Sequence, residues 1–250
     1  MLMKKLRGLL FPKKGKYAQF MDFVRPVGGA LIVAFTFRTF LFDPYRIPST
    51  SMLPTLLVGD YLFVSRFAYG THVPFTDITL WEKEPVQGDV VVFRKDIGQG
   101  MTNYIKRIVA LPGDRVAFRN KALFVNGKPQ LTIKDDNEPN YNFQEAGYDQ
   151  RTAQFYETLN SGVTHKILRD PVQPAYDLLE ATVPPGSYVV MGDNRDHSYD
   201  TRFWNYPEWS FVQKDEIVGR AEFLYWSWND YFVPRWSRIF DSLRVEAKAQ

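Results

Sequence analysis

Three hydroxyl side chains lie between two prolines in residues 48–56, PSTSMLPTL, which we call the hydroxyl turn. Proline fixes its own backbone angle φ and biases the preceding residue towards extended geometry, so a stiff, irregular turn is predicted rather than a helix or a strand. A hydroxyl held on such a turn is a candidate nucleophile if a base lies within hydrogen-bonding reach. The same composition is typical of a linker after a membrane anchor, and both interpretations stand at this point.

Histidine is the usual base for a serine nucleophile, and the chain contains three: His72, His165 and His197. The sequence places His72 in an irregular loop and His165 in a polar segment. Only His197 has suggestive neighbours, and no carboxylate is clearly placed to orient its ring. A Ser-His mechanism is therefore the weaker hypothesis.

A neutral lysine is the alternative base. The lysine amine has an ordinary pKa of about 10.4, and lowering it by about 2–3 units costs the ammonium form about 3–4 kcal/mol, which burial can supply. Lys106 is the best placed lysine, because strand alternation puts Tyr104 and Ile108 on its face. An edge-strand lysine that points into water is the competing interpretation.

Residues 192–202, GDNRDHSYDTR, carry three aspartates and two arginines. Charges at this density after an apolar strand predict a mutually paired network that fixes a turn, with Ser198 as a hydrogen-bond partner for a nearby amine. A hard-cation site formed by Asp193, Asp196 and Asp200 is the rival hypothesis. Because the arginines compete for the same carboxylates, we expect no metal and no other cofactor.

Composition limits the fold and the chemistry. With 250 residues, 45% of them hydrophobic and 16% aromatic, the chain is long enough for one core with a sizeable insertion. It contains no cysteine, which excludes disulfides, thiolate zinc sites, iron-sulfur clusters and cysteine nucleophiles.

Positive charge is concentrated at the amino terminus, where residues 1–25 hold seven basic residues and one acidic residue, a net charge of +6. An apolar run follows over residues 27–42, interrupted by Arg38, and with the preceding residues it approaches the roughly 20 residues of a membrane span. A basic flank beside such a run favours retention in the cytoplasm over nucleic-acid binding. We predict a basic cytoplasmic segment over 1–25 and a single transmembrane helix over 26–42; a cleaved signal peptide is the competing interpretation.

The remaining chain is predicted to be mainly β. Runs of β-branched and aromatic residues alternate with turn signals such as Asn126-Gly127, and helical periodicity is scarce. We expect an antiparallel β-sheet catalytic core over residues 43–127 and 185–250. The polar, aromatic-containing residues 128–184 are predicted to form an inserted β-rich second lobe.

Four segments resemble, in order, the sequence boxes of bacterial type I signal peptidases, a Ser-Lys serine protease family: residues 51–56, 88–93, 104–114 and 192–202. The resemblance implies that Ser51 is the nucleophile and Lys106 the general base. It implies that Ser198 orients the lysine, while the Ser49 hydroxyl and the Ser51 backbone amide form the oxyanion hole.

The resemblance also implies supporting residues. Shallow pockets for small side chains fall at Ile47, Pro48, Met52 and Ile105, and a structural charge network includes Asp193 and Arg195. Three positions depart from the family pattern: Thr50 and Ala110, where glycine is common, and His197, where asparagine is common. None of them belongs to the Ser-Lys pair.

The sequence therefore predicts a membrane-anchored serine endopeptidase that removes signal peptides from exported preproteins after small-x-small motifs. It would lie in the bacterial cytoplasmic membrane with the catalytic part on the outer face. Its partners would be preproteins and the lipid bilayer, with no nucleic acid, and no oligomeric state is predicted. The alternatives are a self-cleaving Ser-Lys repressor, which needs an amino-terminal DNA-binding domain, and a non-catalytic membrane-tethered β-rich binding module.

Overall fold

The computed structural model describes residues 15–40, 42–72, 79–98, 100–138, 140–145 and 147–244. The chain divides between residues 41 and 42 into two compact units. The first contains helix α1, Lys16–Phe40, and the described strands belong to the second.

The predicted basic segment lies partly outside the described residues, over positions 1–14, as does residue 41 of the predicted anchor. Among the described residues, no helix combines the length and the apolarity that crossing a membrane requires. The transmembrane helix over 26–42 stays a prediction.

The second unit is built from short antiparallel strands. In the first half these are β1 (Phe42–Arg46), β2 (Asp60–Ser65), β3 (Thr71–His72), β4 (Thr79–Leu80), β5 (Val90–Asp96), β6 (Met101–Ala110), β7 (Arg115–Arg119), β8 (Ala122–Val125) and β9 (Lys128–Pro129). In the second half they are β10 (Leu131–Lys134), β11 (Asn140–Glu145), β12 (Tyr148–Thr158), β13 (Thr164–Arg169), β14 (Leu178–Thr182), β15 (Ser187–Met191), β16 (Val212–Gln213) and β17 (Ile217–Ser227). Short 3-10 helices lie at Arg66–Tyr69, Arg195–His197, Lys214–Glu216 and Trp236–Arg238.

These strands form four sheets. The largest has seven strands in the order β1-β2-β17-β5-β6-β15-β16. A second sheet has the order β10-β12-β11, with β13 also paired to β12, a third has the order β14-β7-β8-β9, and β3 pairs with β4. The strand pairings within the described residues are antiparallel, which confirms the predicted mainly β class.

Local sequence accounts for several of these elements. Strand β5 begins VVVF, a run of residues that suits a strand buried on both faces. Between β8 and β9, Asn126 and Gly127 have φ angles of 53° and 75°, the left-handed backbone that a two-residue hairpin turn requires. The turn predicted at Asn126-Gly127 is confirmed.

The hydroxyl turn is part of the core. Met52 and Leu56 are at most 1% exposed and pack with Leu62, Val64 and Leu224 of the large sheet. Burying such side chains completely stabilises the fold by about 1.5–3 kcal/mol each. The turn is therefore fastened to the sheet by its own apolar residues, and the linker interpretation is wrong.

The sheet of β10, β11, β12 and β13 lies within the predicted inserted lobe of residues 128–184. Near the two ends of that range, β9 and β14 pair with β8 and β7 in a different sheet. The boundaries of the lobe stay a prediction.

A buried carboxylate connects the far end of the hydroxyl turn to the carboxy-terminal segment. Asp60 is 0% exposed; its Oδ2 accepts hydrogen bonds from the backbone N–H of Leu57 at 2.7 Å and from Arg238 Nη2 at 2.6 Å. Its Oδ1 accepts a hydrogen bond from Ser227 Oγ at 2.6 Å. Arg238 also donates to the carbonyl oxygen of Thr55 at 2.9 Å, so the turn depends on this carboxylate.

Replacing Asp60 by alanine leaves the Arg238 guanidinium without its buried partner, and we expect the free energy of unfolding to fall by about 3–5 kcal/mol. Urea unfolding of the full chain, followed by tryptophan fluorescence, measures this. Asp43→Ala is the control, because Asp43 pairs at 3.5 Å with the half-exposed Arg66 and its loss is expected to cost less than about 1 kcal/mol. Equal losses in the two variants would contradict the assignment.

Candidate active site

Ser51 and Lys106 are 55 residues apart in the sequence, and the fold brings their side chains into contact. Lys106 Nζ donates a hydrogen bond to Ser51 Oγ at 2.7 Å and a second to the carbonyl oxygen of Ile105 at 3.0 Å. Ser51 is partly buried on the hydroxyl turn, and Lys106 lies on β6. A serine hydroxyl within hydrogen-bonding distance of an amine is the geometry that base-assisted nucleophilic attack requires.

The Lys106 amine is buried in the middle of the large sheet. Strand β6 lies between β5 and β15, and Lys106 is 4% exposed, so the interpretation as an edge-strand lysine in water is wrong. Burial lowers the pKa of Lys106 to about 8, against an opposing effect of the Asp200 and Asp193 carboxylates, while Arg202 favours the lowering. About a tenth of the amine is therefore neutral at pH 7, far more than for an ordinary lysine.

Ser49 lies beside the pair. Its Oγ is 3.4 Å from Ser51 Oγ, and the residue is partly buried. The turn beyond it is closed by a backbone hydrogen bond from the N–H of Leu53 to the carbonyl oxygen of Thr50 at 3.1 Å. This arrangement brings the hydroxyls of Ser49 and Ser51 close together on one rigid segment.

Gly192 allows the end of β15 to approach the hydroxyl turn closely. A Cβ atom at this position would lie 2.3 Å from Ser198 Oγ and 2.4 Å from the carbonyl oxygen of Ser51. No side chain fits between these atoms without displacing one of them. The predicted contact of Ser198 with an amine is not among the hydrogen bonds of the described residues, where Ser198 Oγ donates to Asp200 Oδ2 at 2.8 Å.

Three buried ion pairs surround the site. Asp193 pairs with Arg107 at 2.6 Å, Asp200 with Arg202 at 2.7 Å, and Arg195 with Glu157, whose Oε1 lies 2.6 Å from Arg195 Nη1. Every one of these residues is at most 1% exposed. Only the Asp200–Arg202 pair lies within residues 192–202, so the expectation of pairing inside that segment is wrong for Asp193 and Arg195.

The partners that the sequence reasoning missed are Arg107 and Glu157. The sequence does contain a signal for Arg107, since an arginine inside an apolar strand needs a buried carboxylate as its partner. Glu157 lies on β12 in polar sequence where no pattern distinguishes it. The network therefore joins the 192–202 segment to the large sheet through Arg107 and to the second sheet through Glu157.

The arginines keep the network carboxylates ionised. Burial alone raises the pKa of Asp193, but Arg107 more than compensates and holds it below its ordinary value. Arg202 does the same for Asp200, and Arg195 for Glu157. Burial, assisted by Arg107, lowers the pKa of His165 to about 3, so this histidine is neutral within the network.

The comparisons with known proteins point to one family. The family model described as signal peptidase, peptidase S26, matches residues 20–226. Signal peptidase I of Pseudomonas aeruginosa is 36% identical, in a match that covers 86% of this chain and 74% of that protein. Signal peptidase I of Pseudomonas fluorescens is 34% identical, in a match that covers 92% of this chain and 82% of that protein. Signal peptidase I of Haemophilus influenzae is 34% identical, in a match that covers 91% of this chain and 76% of that protein.

The chain belongs to the signal peptidase I family. It is therefore a hydrolase, a serine endopeptidase, and the family resemblance seen in the sequence is confirmed.

Two of the three histidines, His165 and His197, have partners other than Ser51. His197 Nε2 is 3.0 Å from Asp170 Oδ2, and His165 is enclosed by the ion pairs. Among the hydrogen bonds of the described residues, neither histidine contacts Ser51. The side chain of His72 lies outside the described part of the chain.

The remaining residues implied by the resemblance are found as follows. Ile47 and Met52 are 2% and 1% exposed and lie in one apolar cluster, against which the half-buried Ile105 packs. Pro48 is exposed.

The three aspartates of the rival metal hypothesis have different partners. Asp193 pairs with Arg107, Asp200 pairs with Arg202, and Asp196 accepts a hydrogen bond from Lys121 Nζ at 3.1 Å. Within the described residues there is no cluster of three or more His, Cys, Asp or Glu side chains arranged for a metal ion.

Gly192→Ala is expected to displace the carbonyl of Ser51 and to lower kcat/KM by about a hundredfold, because a misplacement of about 1 Å has that effect on catalysis. The kinetic assay is run on variants whose circular dichroism matches that of the parent protein. Gly186, at the other end of β15, is the matched control: its Cβ would meet nothing within 4 Å, so Gly186→Ala strains only its own turn at φ 67°. Full activity in Gly192→Ala would contradict the close approach.

Proposed function

We propose that this member of the signal peptidase I family is a membrane-anchored enzyme that removes signal peptides from exported preproteins with Ser51 as nucleophile and Lys106 as general base. The observation that carries the proposal is the 2.7 Å contact between Ser51 Oγ and the buried Lys106 Nζ. The names of the relatives, signal peptidase I, support the substrate class.

In the first half of the reaction, neutral Lys106 accepts the Ser51 proton as Oγ attacks the scissile carbonyl carbon. The Ser51 N–H and the Ser49 hydroxyl donate hydrogen bonds to the oxygen that becomes negative. When the C–N bond breaks, the Lys106 ammonium returns the proton to the leaving amine. An acyl ester on Ser51 remains.

In the second half, Lys106 takes a proton from a water molecule that attacks the ester carbonyl. The C–O bond to Ser51 breaks, and Oγ recovers the proton from the ammonium. In this scheme Ser198 helps to orient the lysine, and the Asp193 and Arg195 ion pairs support the turn that carries Ser198.

The preprotein would bind as an extended strand beside the hydroxyl turn, with small side chains in shallow pockets formed by Ile47, Pro48, Met52 and Ile105. Residues 1–25 would stay in the cytoplasm and residues 26–42 would anchor the enzyme, with catalysis on the outer face. The basic flank and the apolar run in the sequence support this topology.

Ser51→Ala and Lys106→Ala are each expected to abolish cleavage of a precursor whose signal peptide ends in a small-x-small motif. Because the two groups act as a unit, the double variant should be no slower than either single variant, with losses on the order of 10⁴-fold or more. Cleavage of the purified precursor by detergent-solubilised enzyme, read by gel and by amino-terminal sequencing of the product, measures this.

Lys95→Ala is the control for the lysine variant, because Lys95 lies on the neighbouring strand β5 and pairs at 2.8 Å with Glu216. It should retain full activity. Unchanged processing in Ser51→Ala or Lys106→Ala would overturn the pair. Cleavage of the enzyme's own chain together with binding to duplex DNA would instead favour the repressor-type alternative.

The pH dependence of kcat/KM follows from the lowered pKa of Lys106, about 8. Protonated lysine cannot accept a proton, so activity should rise about tenfold per pH unit below that value and level off above it. At pH 7, one unit lower, about a tenth of the enzyme carries the neutral amine. A profile that stays flat between about pH 6 and 9 would show that the base is another group.

A further inference from the structure

Thr50, the residue before Ser51, makes contacts of its own with a distant part of the chain. Thr50 is 5% exposed, and its Oγ1 accepts a hydrogen bond from Gln150 Nε2 at 3.0 Å. The carbonyl oxygen of Thr50 accepts a hydrogen bond from Asn194 Nδ2, also at 3.0 Å. Both polar groups of this buried residue therefore have defined partners.

Gln150 and Asn194 are themselves bonded. Asn194 Nδ2 donates to Gln150 Oε1 at 2.8 Å, which closes a ring from the Thr50 hydroxyl through both amides to the Thr50 carbonyl. The backbone N–H of Asn194 donates to the carbonyl oxygen of Ser51 at 3.2 Å. Asn194 thus donates a hydrogen bond to each of two successive carbonyl groups of the hydroxyl turn, those of Thr50 and Ser51. We call the ring of Thr50, Gln150 and Asn194 the amide clamp.

The amide clamp acts on the peptide group that the proposed mechanism uses. The carbonyl of Thr50 and the N–H of Ser51 belong to the same planar peptide, and they point in opposite directions. Fixing the direction of the carbonyl therefore fixes the direction of the N–H. That N–H is the proposed donor to the oxyanion, where orientation matters because the donor must be in place before charge develops.

Packing holds Gln150 in position. Gln150 lies on β12 opposite Phe143 of β11, and Phe143 is 5% exposed and packs against Leu53 of the hydroxyl turn and Leu168 of β13. This pairing brings the β11–β12 hairpin, about a hundred residues away in sequence, onto the turn beside the nucleophile.

We propose that Gln150 is a positioning residue of the catalytic site: through Thr50 and Asn194 it sets the orientation of the Ser51 N–H towards the oxyanion. The inference rests on the proposed function of Ser51. It gives Thr50 a role, because its hydroxyl provides the acceptor that joins the turn to the hairpin.

Gln150→Ala removes two of the three hydrogen bonds of the amide clamp and leaves the one from Asn194 to the Thr50 carbonyl. We expect kcat on a precursor to fall by about ten- to a hundredfold, less than the loss of a whole oxyanion donor, with KM changed by less than about threefold. The midpoint of the pH profile should not move, because Lys106 is untouched. A peptide aldehyde, which forms a tetrahedral adduct with the serine, should bind weaker by about the same factor as kcat/KM falls.

Four further variants separate positioning from general support. Gln144→Ala is the matched control on the same hairpin, since Gln144 is exposed and its side chain donates a hydrogen bond to Asp149 Oδ1 at 3.2 Å. Thr50→Val removes the hydroxyl and should reproduce part of the fall in kcat seen with Gln150→Ala. Thr50→Ser keeps the hydroxyl and should retain the activity of the parent enzyme. Gln150→Ala combined with Thr50→Val should be no slower than Gln150→Ala alone.

Several outcomes would overturn the inference: a kcat for Gln150→Ala within about twofold of the Gln144→Ala value, a loss confined to KM, or multiplying losses in the double variant. Failure of the proposed function has a different signature, because the parent enzyme would then not process precursors or Ser51→Ala would still do so.

Discussion

The site depends on keeping one amine neutral beside several buried charges. Lys106 and Arg107 are adjacent on β6 and both are almost fully buried, yet they meet different partners. Arg107 forms an ion pair with Asp193 and donates to the carbonyl of Gly88 at 2.9 Å, whereas Lys106 donates to a hydroxyl and a carbonyl. A buried cation without a carboxylate of its own is unstable, so the amine loses its proton more readily. Asp200 and Asp193 favour the charged amine, but each is paired with its own arginine, and burial outweighs their effect on the pKa of Lys106.

This constraint explains why the site draws on so many parts of the chain. Shielding the amine requires strands on both sides of β6, and pairing each carboxylate requires an arginine at a fixed distance. The 192–202 segment satisfies part of this requirement itself, through Asp200 and Arg202. The remainder comes from β6 and from Glu157 on β12. Breaking one such buried pair costs about 3–5 kcal/mol, although the pairs add little net stability over apolar packing. They are better understood as fixing the geometry of the turn than as strengthening the fold.

Sequence alone predicted the parts of the structure that local chemistry determines. Alternating β-branched residues and the Asn126-Gly127 turn identify an antiparallel β protein, and a lysine within the apolar run of β6 identifies the candidate base. The partners of Asp193 and Arg195 were wrong, because ion pairing across the fold leaves no local pattern: Glu157 has ordinary polar neighbours in sequence. Gln150 was missed for the same reason, since an amide becomes informative only when its tertiary partners are known. Thr50 was noticed only as a departure from the family pattern, with no sign of the acceptor role that its hydroxyl has.

The second sheet, formed by β10, β11, β12 and β13, contributes side chains directly to the site. It supplies Glu157 to the buried Arg195, Phe143 to the apolar contact with Leu53 of the hydroxyl turn, and Gln150 to the hydroxyl of Thr50. Each contact restrains a different degree of freedom: the ion pair fixes the 192–202 segment, the aromatic ring fixes the depth of the turn, and the amide fixes the rotation of one peptide. The proposed mechanism needs all three, because a neutral lysine gives no benefit if the attacking oxygen or the oxyanion donor is misaligned. A change at Thr50 or Gln150 alone would therefore remove the hydrogen bond that joins the second sheet to the hydroxyl turn.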